Sequence, residues 1–85
     1  MYIHIGADIS IPAHWIVGIF DLDRMTPSGD TASFLKQAEE ANKLDWMTAD
    51  LPRSLVVTLD RSFMSPVSAR TLLARLHDQG RSLKG

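Results

Sequence analysis

Arg53 and His14 stand where proteins commonly carry binding groups, at the entrances to two apolar runs. Arg53 follows the turn Asp50-Leu51-Pro52 and leads into Ser54-Leu55-Val56-Val57-Thr58. His14 precedes Trp15 and the run Ile16-Val17-Gly18-Ile19-Phe20-Asp21. Loops at strand ends present side chains from a rigid support. A guanidinium offers a planar fork of donors that suits phosphate. If the two loops lie at one end of a sheet, Arg53 and His14 can both meet phosphate; otherwise each is an ordinary solvated side chain.

Other reactive types do not assemble into a recognisable constellation. Gly6, Gly18 and Gly29 are isolated, so no phosphate-cradling glycine loop is present. No Gly-x-Ser-x-Gly nucleophile motif occurs. His4, His14 and His77 are scattered and there is no cysteine, which leaves no thiolate metal site and no disulfide. Asp21 and Asp23 lie two apart. On a strand they would share a face and could hold a cation, but such a pair more commonly marks a strand exit. The expectation is therefore a protein without catalytic residues, metal, cofactor or small-molecule substrate.

Charge is unevenly distributed although the total is only −1. Residues 1–50 hold three cations against eight acids, and residues 51–85 hold six cations against two acids. Five of those six cations are arginine: Arg53, Arg61, Arg70, Arg75 and Arg81. Such asymmetry can present a basic face on a nearly neutral chain. Its bland alternative is a solvated helix surface with a frayed end at Arg81 and Lys84.

Size adds a constraint. An 85-residue chain buries only about 60–65% of the surface its unfolded form exposes, so it needs a staple. With disulfides excluded, self-association is the expected one. Two tryptophans are the candidate interface residues. Trp15 opens an apolar strand and suits core packing or a subunit contact, with ligand stacking as the alternative. Trp46 lies in a polar setting, between Lys43-Leu44-Asp45 and Thr48-Ala49-Asp50, where an exposed aromatic marks a contact. No stretch approaches the ~20 apolar residues of a membrane span. No basic region followed by an apolar core and a cleavage site opens the sequence, so a cytoplasmic location is expected.

The elements needed to position these residues can be read from periodicity and punctuation. Tyr2–Ile5 alternates as a strand, Gly6-Ala7-Asp8 turns, and Ile9–Ile11 returns as a hairpin ending at Pro12. His14 to Phe20 is predicted as a buried strand, with Gly18 allowing close approach. A loop over 25–29 leads to a helix from about Thr31 to Asn42, capped by Ser28 or Asp30, with Phe34, Leu35, Ala38 and Ala41 as its stripe. Leu44–Met47 is a short extended piece. Arg53–Leu59 and Phe63–Ser65 form two further strands, the second ended by Pro66. Ser68 caps a helix from Ala69 to Gln79 closed by Gly80, with Leu72, Leu73 and Leu76 inward and Arg70 and Arg75 facing elsewhere. These make residues 1–85 one α+β domain, small, antiparallel and β-rich, with two helices.

Four segments carry a resemblance over nearly the whole chain: Met1-Tyr2-Ile3-His4-Ile5-Gly6, Ile16-Val17-Gly18-Ile19-Phe20-Asp21, Pro52-Arg53-Ser54-Leu55-Val56-Val57-Thr58, and Ser65-Pro66-Val67-Ser68 followed by Thr71-Leu72 and Arg75. In order and spacing the chain resembles the RemA/RemB family of small bacterial regulators, in its RemB-like branch. That resemblance implies a LytTR-like sheet, a ring-forming homo-oligomer, and duplex DNA bound by phosphate contacts from loop arginines in the control of biofilm matrix genes. One departure bears on this. RemA-type proteins carry adjacent arginines before the strand equivalent to Arg53–Leu59 and another before the strand equivalent to His14–Phe20. Here the first loop has Asp50-Leu51-Pro52-Arg53 and the second Ala13-His14-Trp15, and each lost cation weakens counterion release. Two readings stay open: a DNA-binding ring regulator, and a ring-forming protein-interaction scaffold without DNA binding.

Overall fold

Isoleucine at positions 3, 5 and 11 sets the first element, a hairpin of β1 (Tyr2–Gly6) and β2 (Ile9–Pro12), in a computed structural model that describes residues 1–24 and 29–84. Side chains of 29–31 and 79–84 are outside that description. The strands are antiparallel, with Ile3 opposite Ile11 and Gly6 opposite Ile9. Alternation puts Ile5 on the same face as Ile3, and a bulge between His4 and Gly6 leaves Ile5 without a register partner on β2. The turn residues Ala7 and Asp8 have φ of 47° and 62°, and Gly6 has φ of 122°. A Cβ on Gly6 would lie 3.0 Å from Pro66 Cδ, so both its backbone conformation and its neighbour require glycine.

Pro12 ends β2, and Ala13 N donates to Met1 O at 2.9 Å. Residues Ala13–Trp15 then form a single 3-10 turn, and β3 begins only at Ile16, running to Asp21. This corrects the strand expected from His14. The chain must change direction there to pass from the hairpin into a second sheet, and a tight turn does so in three residues. β3 is also an edge strand and half-exposed, not buried as its composition suggests: Val17 and Phe20 face solvent while Ile16 and Ile19 pack inward.

The second sheet has four strands in the order β3-β5-β6-β4, with β4 (Leu44–Trp46), β5 (Ser54–Thr58) and β6 (Ser62–Ser65). β3 and β6 flank β5 in antiparallel pairing, and β4 lies parallel to β6. The architecture is α+β with a mixed sheet. The parallel β4–β6 pair departs from an all-antiparallel expectation because β4 enters from a helix on the same side from which β6 starts.

That helix, α1 (Gly29–Glu40), is closed by Asn42 in the left-handed region (φ 62°). Lys43 N donates to Ala38 O and Asn42 N to Glu39 O, a Schellman closure. Lys43 O then accepts from Ser62 N at 2.7 Å, which delivers the chain to β4. Of the loop expected over 25–29, residues 25–28, with the Ser28 cap, lie outside the described residues, while Gly29 and Asp30 already belong to α1, so the helix starts earlier than the expected Thr31 and Asp30 is not its cap. A bidentate pair, Arg61 with Asp45, ties β4 to β6: Nη2 donates to Oδ1 at 3.1 Å, and Nε lies 2.7 Å from Oδ2, off the axis of a hydrogen bond.

α2 spans Ala69–Lys84, longer than the sequence predicts. Gly80 does not end it, since one interior glycine costs only about 1 kcal/mol and Arg81-Ser82-Leu83-Lys84 contains no breaker. Ser68 caps it as expected, accepting from Thr71 N at 3.2 Å. Leu72 is fully buried and Leu76 partly, but Leu73 is exposed. Arg75 does not face away: half-buried, it donates from Nη1 to His4 O across to β1.

The core lies between the sheet's inner face (Ile19, Val56, Phe63) and the hairpin plus α2 (Ile3, Ile5, Leu72), with Met47 at its margin. Alternation puts Val57 and Ser62 on the other face, where α1 lies across them. Two buried serines fasten the layers. Ser54 and Ser65 are opposite one another on β5 and β6, and both are fully buried. Ser65 Oγ donates to Ile5 O at 2.6 Å and accepts from Val67 N at 3.0 Å. Ser54 Oγ donates to Val67 O at 2.7 Å.

Ser65→Ala leaves the Ile5 carbonyl and the Val67 amide without their partner in a dry site, at a cost of about 2–3 kcal/mol. Urea unfolding at fixed protein concentration should show that loss. Ser10→Ala, on an exposed position of β2, should change stability by less than about 0.5 kcal/mol.

Candidate phosphate-binding cleft and apolar edges

Arg53 is held by its backbone before its side chain is considered. Its N–H donates to Ser65 O at 2.8 Å, and its carbonyl accepts from Leu22 N at 3.0 Å. The loop leaving β3 is thereby stitched to the entrance of β5. Within that loop Asp21 Oδ1 accepts from Asp23 N at 2.9 Å, an Asx turn. This turn aims the Asp23 carboxylate back at Arg53, whose Nε donates to Asp23 Oδ2 at 3.0 Å. Arg24 Nε stands 3.9 Å from Asp21 Oδ2. The two acids are thus engaged by arginine, which accounts for their spacing without a cation.

The N-terminus of α2 reaches the same place. Ser68, Ala69 and Arg70 line an open cleft of ≈ 430 Å³ with Arg24 and Arg53, floored by Ile19 and Leu73. Three arginines therefore line a cleft that Asp21 and Asp23 also line. Arg70 lies in the first turn of α2, which contains no acidic residue. A cation there is unfavourable for the helix dipole, which prefers an anion at that end, so an anion placed among these groups is favoured by both charge and backbone N–H donors. The side chains of Arg53 and Asp23 are 56% and 42% exposed, so the pair is open to exchange with solvent ions.

His14 is elsewhere. Its ring stands edge-on to Trp15, with centroids 6.4 Å apart. Trp15 O accepts from Leu59 N at 3.3 Å, so the 3-10 turn sits beside the far end of β5. Ile16 pairs with Thr58 while Asp21 pairs with Ser54; the span of β5 alone, about 13 Å, separates His14 from Arg53. The condition for a shared phosphate, both loops at one end of the sheet, is not met within one chain. Antiparallel β3–β5 pairing places two strand entrances at opposite ends by necessity.

Sequence reasoning missed Arg24 and Arg70 as neighbours of Arg53. A signal existed for Arg70, an arginine two residues after a helix cap. Nothing local pointed to Arg24, which is brought in only by the β3–β5 pairing.

The tryptophans mark a second kind of surface. Trp15 is 48% exposed and Trp46 is 54% exposed, so neither is a core residue of the single chain, and the core-packing alternative for Trp15 is set aside. They sit on opposite edges of the four-stranded sheet, Trp15 beside β3 and Trp46 on β4. Leu59 is 81% exposed and lines a small hollow with Trp15, Thr58 and Asp60. Among the described residues no group of three metal-ligating side chains occurs, and no helix is long and apolar enough to cross a membrane.

Inorganic phosphate titrated at low salt should shift the amide resonances of Arg24, Arg53, Ala69 and Arg70. Those of His14 and Trp15 should stay in place; movement at His14 instead would relocate the anion site.

Residues 2–76 match the family model described as RemA-like, extracellular matrix regulatory protein A-like. Extracellular matrix regulatory protein B of Bacillus subtilis (strain 168) is 37% identical over 75 residues, which is 88% of this chain and 89% of that protein. The matched span takes in Arg24, Arg53, Arg70 and both tryptophans, and it ends inside α2. With the cleft, both sheet edges and the hairpin all inside that match, this chain belongs to the RemA-like family of extracellular matrix regulatory proteins.

Proposed function

We propose that this protein is a cytoplasmic regulator that assembles into a ring and binds duplex DNA through its Arg53 cleft, in the manner of matrix-gene control. The observation that carries this reading is the convergence of Arg24, Arg53 and Arg70 on one cleft. A single cleft holding two acids binds phosphate weakly. Copies repeated along one duplex add their contacts, because each later contact is intramolecular. The ring and the LytTR-type reading of the sheet belong to this proposal. A ring needs two different complementary patches on opposite sides of the subunit, since a head-to-tail interface closes only that way. The Trp15–Leu59 surface and Trp46 lie on opposite edges of the sheet and fit that need. His14, beside Trp15, is placed with the edge more than with the Arg53 cleft; a DNA contact from it requires a duplex that spans both ends of β5.

A second reading has its own observation. Arg53 is already paired with Asp23, and a scaffold that keeps the ring without DNA binding is compatible with an arginine so occupied.

Light scattering at micromolar concentration should report several subunits. Trp15→Ser and Trp46→Ser should each give smaller species with an unchanged far-ultraviolet circular dichroism spectrum, because neither ring is buried in the single chain. A folded monomer of the native sequence would remove the ring. Fluorescence anisotropy of a labelled duplex should show binding that weakens steeply with salt, and Arg53→Glu in an intact oligomer should weaken it roughly tenfold or more. Equal affinity of the two proteins would take Arg53 out of the site. No binding by the native protein at low salt would favour the scaffold.

A further inference from the structure

We infer that Asp23 is a built-in competitor for the phosphate site of Arg53, and that it sets how tightly the cleft holds a duplex. The inference rests on the DNA-binding reading above and concerns the regulation of that same site. A carboxylate and a phosphate oxygen bind a guanidinium in the same geometry, and Asp23 Oδ2 occupies Arg53 Nε at 3.0 Å. The Asp23 backbone is held for this contact. Leu22 N–Arg53 O fixes the loop against β5, and the Asx bond from Asp23 N to Asp21 Oδ1 fixes the direction of the Asp23 backbone.

A phosphate that takes the Nε edge of the guanidinium must therefore displace Asp23. Exposed ion pairs of this kind are weak, so displacement is easy but not free. The penalty recurs at every subunit that contacts the duplex, so it compounds along the ring. Asp23 thus lowers affinity for free phosphate by one such factor and affinity for a duplex by one factor per contact. It also provides a graded control: any change that neutralises Asp23 or moves the 21–24 loop frees Arg53.

The test uses the full-length oligomer and a labelled duplex in anisotropy titrations at fixed low salt, with Asp23→Asn, Glu40→Gln, Arg53→Ala and the Asp23→Asn/Arg53→Ala pair. Asp23→Asn is expected to bind about two- to fivefold tighter for each contacting subunit. Glu40→Gln removes the same charge at an exposed position of α1 and should leave affinity near the native value. In the Arg53→Ala background Asp23→Asn should give little or no gain, because Asp23 acts through Arg53. Native-like or weaker binding by Asp23→Asn, with Arg53→Ala still losing affinity, would overturn the competitor role while keeping the DNA site. An equal gain from Glu40→Gln would also overturn it, by reducing the effect to net charge. Absence of duplex binding by every protein, Asp23→Asn included, would overturn the DNA reading and this inference with it.

Discussion

Two hydroxyl groups at the dry junction of hairpin, sheet and helix hold this small fold together. Ser54 and Ser65 face one another across β5 and β6, and between them they bond Ile5 O, Val67 N and Val67 O. Regular strand pairing is interrupted at these groups: Ile5 sits at a bulge, and Val67 lies in the connection after Pro66. A buried amide or carbonyl without a partner is expensive, so the serines set where the hairpin docks and where α2 begins. Apolar packing from Ile3, Ile5 and Leu72 supplies more free energy, but it is not directional. The hydroxyls supply the direction, and Gly6 against Pro66 removes the remaining slack.

That junction also builds the cleft. Arg53 N bonds to the carbonyl of Ser65, one residue before the linker that the serines clamp, and Ser68 caps α2 three residues later. The position of Arg53 relative to Arg70 is therefore fixed by the same contacts that stabilise the core. Arg24 and Asp23 arrive through the Leu22–Arg53 backbone bond. Binding chemistry and folding are coupled here in a short stretch of chain, and a change in either register would dismantle both.

The apolar surface is arranged differently. The inner face of the sheet is closed by the hairpin and α2, but both edge strands are left with aromatic side chains in solvent. β3 carries Val17 and Phe20 outward with Trp15 at its mouth, and β4 ends in Trp46. Exposed edges and exposed aromatics together favour association. A chain that buries so little of itself gains from covering them, which ties assembly to stability in the proposed regulator.

Local chemistry was legible in the sequence. The alternation of Tyr2–Ile5, the Ser68 cap, the strand Ser54–Thr58, Pro66 at a strand end and Arg53 at a strand entrance all depend on neighbours a few residues away. The segments that mark the family are equally local, and they include the Ser65-Pro66-Val67-Ser68 linker. Tertiary structure alone decided the rest. The 3-10 turn at Ala13–Trp15 forms because the chain passes between sheets, and β3 is half-exposed because it became an edge. Arg24 joins Arg53, while His14 is sent to the other end of β5, because β3 pairs antiparallel with β5, and Arg70 joins them because the linker from Ser65 to Ser68 starts α2 beside Arg53. Gly80 stays helical because nothing after it competes. Propensity and periodicity act within a turn or a strand, whereas sheet order, register and the convergence of side chains are settled by long-range pairing that no local window contains.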